Sequence, residues 1–344
     1  MMIVCSLLML PQIARSAAVQ QAFVLEKFLA GQVRLNNVQI DSVHQGKPVA
    51  VVLDSPIPDE VFVFGIIHID AVPESYLQLA NDFDGLRKLP NYLAIQKFGN
   101  PPQLSELGAF TIDADDLKEL KVCKPGACEV QLPSEAMEQF QKAINWTASD
   151  AGNQANRLAR QMAFDALVAY QKGGNAALGV YRDKQHPTKV AETFQVLLSR
   201  LSSLPLYLPD LNRILLEYPA FQTADFHSDF YWEKVNFGLK PTLRMVQQIT
   251  YRGGNPAEPT LAVAMKQLYA NHYFQSSLDL TVCVKDTSRP GERGFYLITV
   301  KGSQQAGLTG LKGGILRKVV VNKTRSSLEH TLTAIKQRLE TGAQ

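Results

Sequence analysis

Within this 344-residue chain, His272-Tyr273-Phe274, with Tyr269 just upstream, is the stretch best equipped to move protons. An imidazole changes charge near neutral pH and can act as acid or base. No nucleophile or carboxylate stands beside it at a catalytic spacing, so a hydrogen-bonded structural histidine is the expectation. Phe230, Tyr231 and Trp232, with Tyr251, form an aromatic group that would either line a ligand cavity or fill ordinary core. Arg252 and Arg317 carry guanidinium groups suited to a ligand carboxylate or phosphate. Trp232, Tyr251, Arg252, His272, Tyr273 and Arg317 are therefore the candidate ligand-binding set. No catalytic residue, metal ligand or cofactor is assigned.

Other signals dissolve on inspection. The chain has no G-x-S-x-G elbow, no H-E-x-x-H and no Walker loop. Asp113, Asp115 and Asp116 have the spacing of a calcium loop, but Lys118 stands where an EF-hand needs glycine. A solvated loop is expected there. Gly307, Gly310, Gly313 and Gly314 are not embedded in a strand–helix–strand unit, so turns are expected rather than a phosphate cradle.

Cys123 and Cys128 flank Lys-Pro-Gly-Ala, and Pro-Gly is a strong turn signal. Two cysteines astride such a turn can close a disulfide in an oxidising compartment. Half of a zinc site is the alternative, but no further Cys or His pair follows at ligand spacing. Cys283, on an apolar strand pattern, is expected to be buried.

The elements that must position these residues read as follows. Val61 to Asp70 and Tyr92 to Phe98 are strand patterns, separated by a helix start at Pro73-Glu74 and a turn at residues 82–85. Upstream, a hairpin around His44-Gln45-Gly46 is expected, returning along Val49 to Leu53. Helical periodicity runs from Ser134 to Ala220, as in Met137, Phe140 and Ile144, or Val190, Phe194, Leu197 and Leu201. Pro205 and Pro209 bracket a turn there. Strict alternation then marks Leu243 to Tyr251 and Leu278 to Val284 as half-buried strands. Loops are expected at residues 253–256 and 289–291. A helix from Arg325 to Glu340 carries Leu328, Leu332, Ile335 and Leu339 on one face.

The first residues differ in kind. Ile3 to Ile13 is nearly all apolar, contains Cys5, and is followed by small residues at Ala14, Ser16, Ala17 and Ala18. This is the pattern of a secretory signal peptide, too short for a bilayer span of roughly 20 residues. Export to a periplasmic or extracellular location is expected, and no later segment reads as membrane-spanning. With 46% apolar and 19% charged residues the chain suits a packed globule, and a net charge of +3 gives no reason to expect nucleic acid as a partner.

The order of elements resembles the START-like helix-grip superfamily, which includes polyketide cyclases and lipid-transfer proteins. Residues 67–74 (Ile-His-Ile-Asp-Ala-Val-Pro-Glu) resemble that family's first strand leading into a Pro-Glu helix start. Asn81-Asp82-Phe83-Asp84 resembles the turn before its second short helix, and Ile315 to Glu340 its final strand and grip helix. The resemblance implies an α+β fold, with a curved antiparallel sheet, a long C-terminal helix and a cavity between them. It divides the chain into a signal peptide (1–18), two parts of one helix-grip domain (19–133 and 221–344) and a helical insertion (134–220). The function it implies is an exported binder or carrier of an apolar small molecule such as a lipid. Alternatives are a cyclase-like or lyase-like enzyme using His272 or a tyrosine, or an envelope module whose insert docks a protein.

Overall fold

The computed structural model describes residues 24–201, 208–238, 240–253, 261–286 and 293–342. The expected signal peptide with Cys5, the turn at Pro205 and the loops at 254–256 and 289–291 lie outside these residues. Eight strands form one sheet. They are β1 (Val49–Leu53), β2 (Glu60–Ile69), β3 (Tyr92–Lys97), β6 (Phe226–Val235), β7 (Thr242–Arg252), β8 (Leu261–Ala270), β9 (Phe274–Lys285) and β10 (Phe295–Gln305). Their order across the sheet is β1-β2-β10-β9-β8-β7-β6-β3. Every pairing is antiparallel. A two-stranded ribbon, β4 (Val180–Tyr181) with β5 (Thr188–Lys189), stands apart. The long helix α10 (Gly310–Thr341) packs on β2 and β1. This is an α+β fold, a large antiparallel sheet with a long C-terminal helix packed on it, which is consistent with the expected helix-grip architecture.

Side chains alternate across a strand, so each strand serves two faces. On β2, Val61, Val63, Ile67 and Ile69 join Leu328 and Leu332 of α10 in one core. Phe62, Phe64 and Ile66 point the other way. They meet α8 (Val190–Arg200) and α9 (Pro209–Glu217) through Phe194, Leu197, Leu211 and Ile214. Burial on both faces explains why β2 is a continuous apolar run rather than an alternating one. Gly65 lies under α10, where an added Cβ would stand 2.7 Å from Leu328 Cδ2 and 2.9 Å from Leu332 Cδ1. The missing side chain lets the helix sit directly on the strand.

Three local expectations need correction. The segment before β1 is no hairpin arm but helix α2 (Asn37–His44). Asn36 accepts from the Gln39 N–H while the Gln39 side chain caps the Asn36 N–H, a reciprocal capping box. Gly46, at φ +72°, follows it with a left-handed turn. The aspartate cluster is no solvated loop, since Asp116 lies in α5 (Ala114–Leu120) and is only 2% exposed. The C-terminal helix begins at Gly310, well before Arg325, so residues 315–321 form no strand. β10, the strand just before it, is interior, with β2 and β9 already on its two edges, so it offers no free edge for a following hairpin strand. At 32 residues α10 is about 48 Å long.

The remaining helices are α3 (Pro73–Ala80), α4 (Phe83–Arg87), α6 (Ser134–Ala143) and α7 (Ala151–Gly173), preceded by α1 (Leu25–Lys27), which continues as a π-helix over Phe28–Val33. Pro73 occupies the first turn of α3 and Asp82 accepts the Gly85 N–H to start α4. Helices α6 to α9 occupy the segment between Ser134 and Ala220, on the face of the sheet opposite α10.

Candidate functional site

A cavity of about 310 Å³ lies between the sheet and α5, α6 and α7. Its floor is Leu243 and Met245 of β7 with Leu268 and Tyr269 of β8. The space exists because α7 turns Ala159, Ala163 and Ala166 toward that floor. These residues recur at i, i+4 and i+7, one stripe of a helix; Ala163 is buried and Ala166 lies at the exposed rim, so a larger side chain at Ala163 would fill the gap. The cavity is on the face opposite α10. Between α10 and β2 there is close packing instead, which corrects the expectation of a pocket under the C-terminal helix.

Polar groups enter this apolar space at few points. Asp116 Oδ2 accepts from His272 Nε2 at 2.8 Å and from Asn271 Nδ2 at 3.0 Å, and Asp116 and Asn271 both line the cavity. His272 Nδ1 faces the Glu129 carbonyl at 3.1 Å. Both ring nitrogens thus face oxygen atoms. The imidazole, 4% exposed, clamps the β8–β9 turn onto α5 and the segment at Glu129, both ahead of the helical insertion. The carboxylate partner that spacing could not show is supplied by α5.

A second polar group underlies Tyr170, whose ring lines the cavity. Its hydroxyl donates to Gln247 Oε1 at 2.7 Å and accepts from Lys266 Nζ at 2.9 Å. Lys266 is fully buried, donates also to the Leu215 carbonyl and Asn175 Oδ1, and lies 4.3 Å from the Phe194 ring centre. Removal from water lowers its ammonium to about 7. Burial likewise raises the hydroxyls of Tyr170, Tyr181 and Tyr269, so these phenols stay protonated donors in an apolar chamber.

The six candidate residues do not share one site. His272 reaches the cavity through Asp116, and Tyr273 is its neighbour, at φ +61°, its hydroxyl accepting from the Lys240 N–H. Trp232 is fully buried beside the cavity floor, where its indole N–H donates to the Glu106 carbonyl and its ring meets Phe110 edge-on. Tyr251 packs at the other end of β7. Arg252 lies 3.7 Å from Glu74, and Arg317 donates to the Pro58 and Glu60 carbonyls. The residues sequence reasoning missed are Asp116, Lys266, Tyr170 and the alanine stripe. Of these only the stripe had a signal, small residues at helical spacing.

The Cys123–Cys128 pair is at disulfide-bonding distance, with Cα atoms 4.8 Å apart. Gly126 between them adopts φ +84°, and its N–H donates to the Arg182 carbonyl, docking the turn against the ribbon. Glu119 completes a group of three potential ligand atoms within 4.8 Å, but the two sulfurs are bonded to each other. Cys283 is buried on β9.

A smaller polar recess of about 260 Å³ lies where α2, the end of β2 and the end of α10 meet. There His68 Nε2 is 3.1 Å from Asp286 Oδ2, and His44 Nδ1 is 3.2 Å from the Tyr296 hydroxyl. Lys336 donates to the His68 carbonyl and to Glu340. Among the described residues no helix is long and apolar enough to cross a membrane.

No family model matches this sequence, and no curated protein matches it. Among solved structures, the Zhui aromatase/cyclase from Streptomyces sp. R1128 is similar at 10% identity and a TM-score of 0.24, over 40% of this chain and 87% of that chain. A likeness of that degree transfers no activity.

Proposed function

We propose that this protein is an exported binder of a small apolar molecule, held between the sheet and the alanine face of α7. The observation that carries it is the apolar cavity of about 310 Å³, a size at the lower end of small-molecule sites. Apolar walls would supply affinity, and Asp116, Asn271 and the phenols would select a ligand with a polar end. Protein purified from its own host should release an apolar compound on organic extraction, seen as a mass difference in native mass spectrometry. Ala163→Leu should fill the space, abolish that adduct and leave thermal stability unchanged or raised. Host-purified protein without an adduct, together with an Ala163→Leu variant destabilised by the ~1–3 kcal/mol of an overpacked core, would overturn the reading.

A second reading, an acid–base enzyme, is favoured by the recess that holds His68 and Asp286. A carboxylate beside an imidazole orients the ring, as in many proton-transfer sites. The test is conversion. If wild-type protein alters the extracted compound and His68→Ala retains it unaltered, the enzyme reading stands.

A further inference from the structure

The described surface carries an unusual patch on α10. Ile315, Leu316 and Val319 are 70%, 38% and 45% exposed and fall within one and a half turns. Large apolar side chains exposed singly are ordinary, but three together on one helix face are not. Ile315, Val319 and Lys323 are successive i, i+4 positions and form one ridge. That ridge points away from the sheet, because the residues that meet β2 are Val321, Leu328 and Leu332 on the opposite side. The charge is equally one-sided. From Gly310 to Ser326 the sequence has Lys312, Arg317, Lys318, Lys323 and Arg325 and no Asp or Glu. Lys318 and Lys323 are exposed. Phe237, 41% exposed in the β6–β7 loop, borders the same end, since the neighbouring Gly238 lies against the Lys323 ammonium.

We propose that the outward face of the N-terminal half of α10, formed by Ile315, Leu316, Val319, Lys318 and Lys323, is a peripheral docking surface for an anionic lipid membrane. Apolar side chains ringed by lysines are what an interfacial helix presents to headgroups and acyl chains together. The charge excludes a cationic partner and favours phosphate-bearing lipid. Arg317, bonded to the Pro58 and Glu60 carbonyls, and Val321, in the core beneath, hold this half of α10 in place with its outward face free. This surface is independent of the cavity, so it stands or falls without the ligand reading.

The test is cosedimentation of the purified protein with vesicles of phosphatidylglycerol and phosphatidylcholine in equal parts, against phosphatidylcholine alone. Wild-type protein should pellet with the anionic vesicles and be released by salt, which screens surface charge. Each lysine near an anionic surface contributes roughly fivefold in binding. Lys318→Glu/Lys323→Glu should therefore weaken the partition by roughly 25-fold or more. Ile315→Ser/Val319→Ser should weaken it several-fold at unchanged charge. Both pairs are exposed, and an unchanged thermal midpoint confirms that the variants fold. Three results would overturn the proposal: no pelleting of wild-type protein with anionic vesicles, equal pelleting of the wild type and both variants, or lipid-free dimerisation that Val319→Ser abolishes. The last would assign the patch to a second copy of the chain.

Discussion

Gly65→Ala tests how α10 is seated. The new Cβ would lie 2.7 Å from Leu328 Cδ2 and 2.9 Å from Leu332 Cδ1, both closer than carbon atoms approach without repulsion. Overpacking of this kind costs about 1–3 kcal/mol. Alanine also restricts the unfolded chain, which returns about 0.4–1 kcal/mol. The clash wins, leaving a net loss of about 1–2 kcal/mol. Leu332→Ala removes a fully buried side chain and should cost about 2–5 kcal/mol. In the double variant the methyl added at Gly65 enters space that Leu332 vacated, so the combined cost should fall short of the sum. Leu328 still presses on the methyl, so relief is partial, with a coupling of about 1 kcal/mol. Urea unfolding followed by far-ultraviolet circular dichroism on all four proteins measures the cycle. A Gly65→Ala change within about 0.5 kcal/mol of wild type, or strict additivity, would refute direct seating of α10 on β2.

Three further outcomes are expected. Peptide mapping without reductant should recover Cys123 linked to Cys128, and reduction should cost about 2 kcal/mol for so short a loop; two alkylatable thiols in freshly isolated protein would contradict the pairing. N-terminal sequencing of protein from the native cell should begin near Ala17 to Gln20, and an intact Met1 would contradict export. Lys266 is lowered in the fold to about 7, so between pH 7 and 10 the unfolded chain holds a proton that the folded chain has lost. Stability should rise with pH across that window, by at most about 1.4 kcal/mol per unit. Lys266→Met should remove the rise, and a Met variant with the wild-type pH slope between pH 7 and 9 would place the cause elsewhere.

Local patterns carried much of the fold. Alternation at Leu278 to Val284 marked β9 because one side of that strand carries Leu278, Leu280, Val282 and Val284 into apolar core while the other carries Asp279 and Thr281. The stripe Leu328, Leu332, Ile335 and Leu339 marked the seated half of α10, and Pro125-Gly126 marked the cysteine turn. Each signal lies within a few residues, where backbone periodicity alone decides which side chains share a face. The capping pair Asn36 and Gln39 was equally local and outweighed the turn residues that had pointed to a hairpin. Distance along the chain hid the rest. Asp116 and His272 meet across 156 residues, and Lys266 and Tyr170 across 96. The sheet has two apolar faces, and periodicity cannot say which one is packed solid and which is left open. That was settled by residue size at contacts between distant elements. Gly65 lets the leucines of α10 close one face, while the alanines of α7 cannot reach the strands on the other.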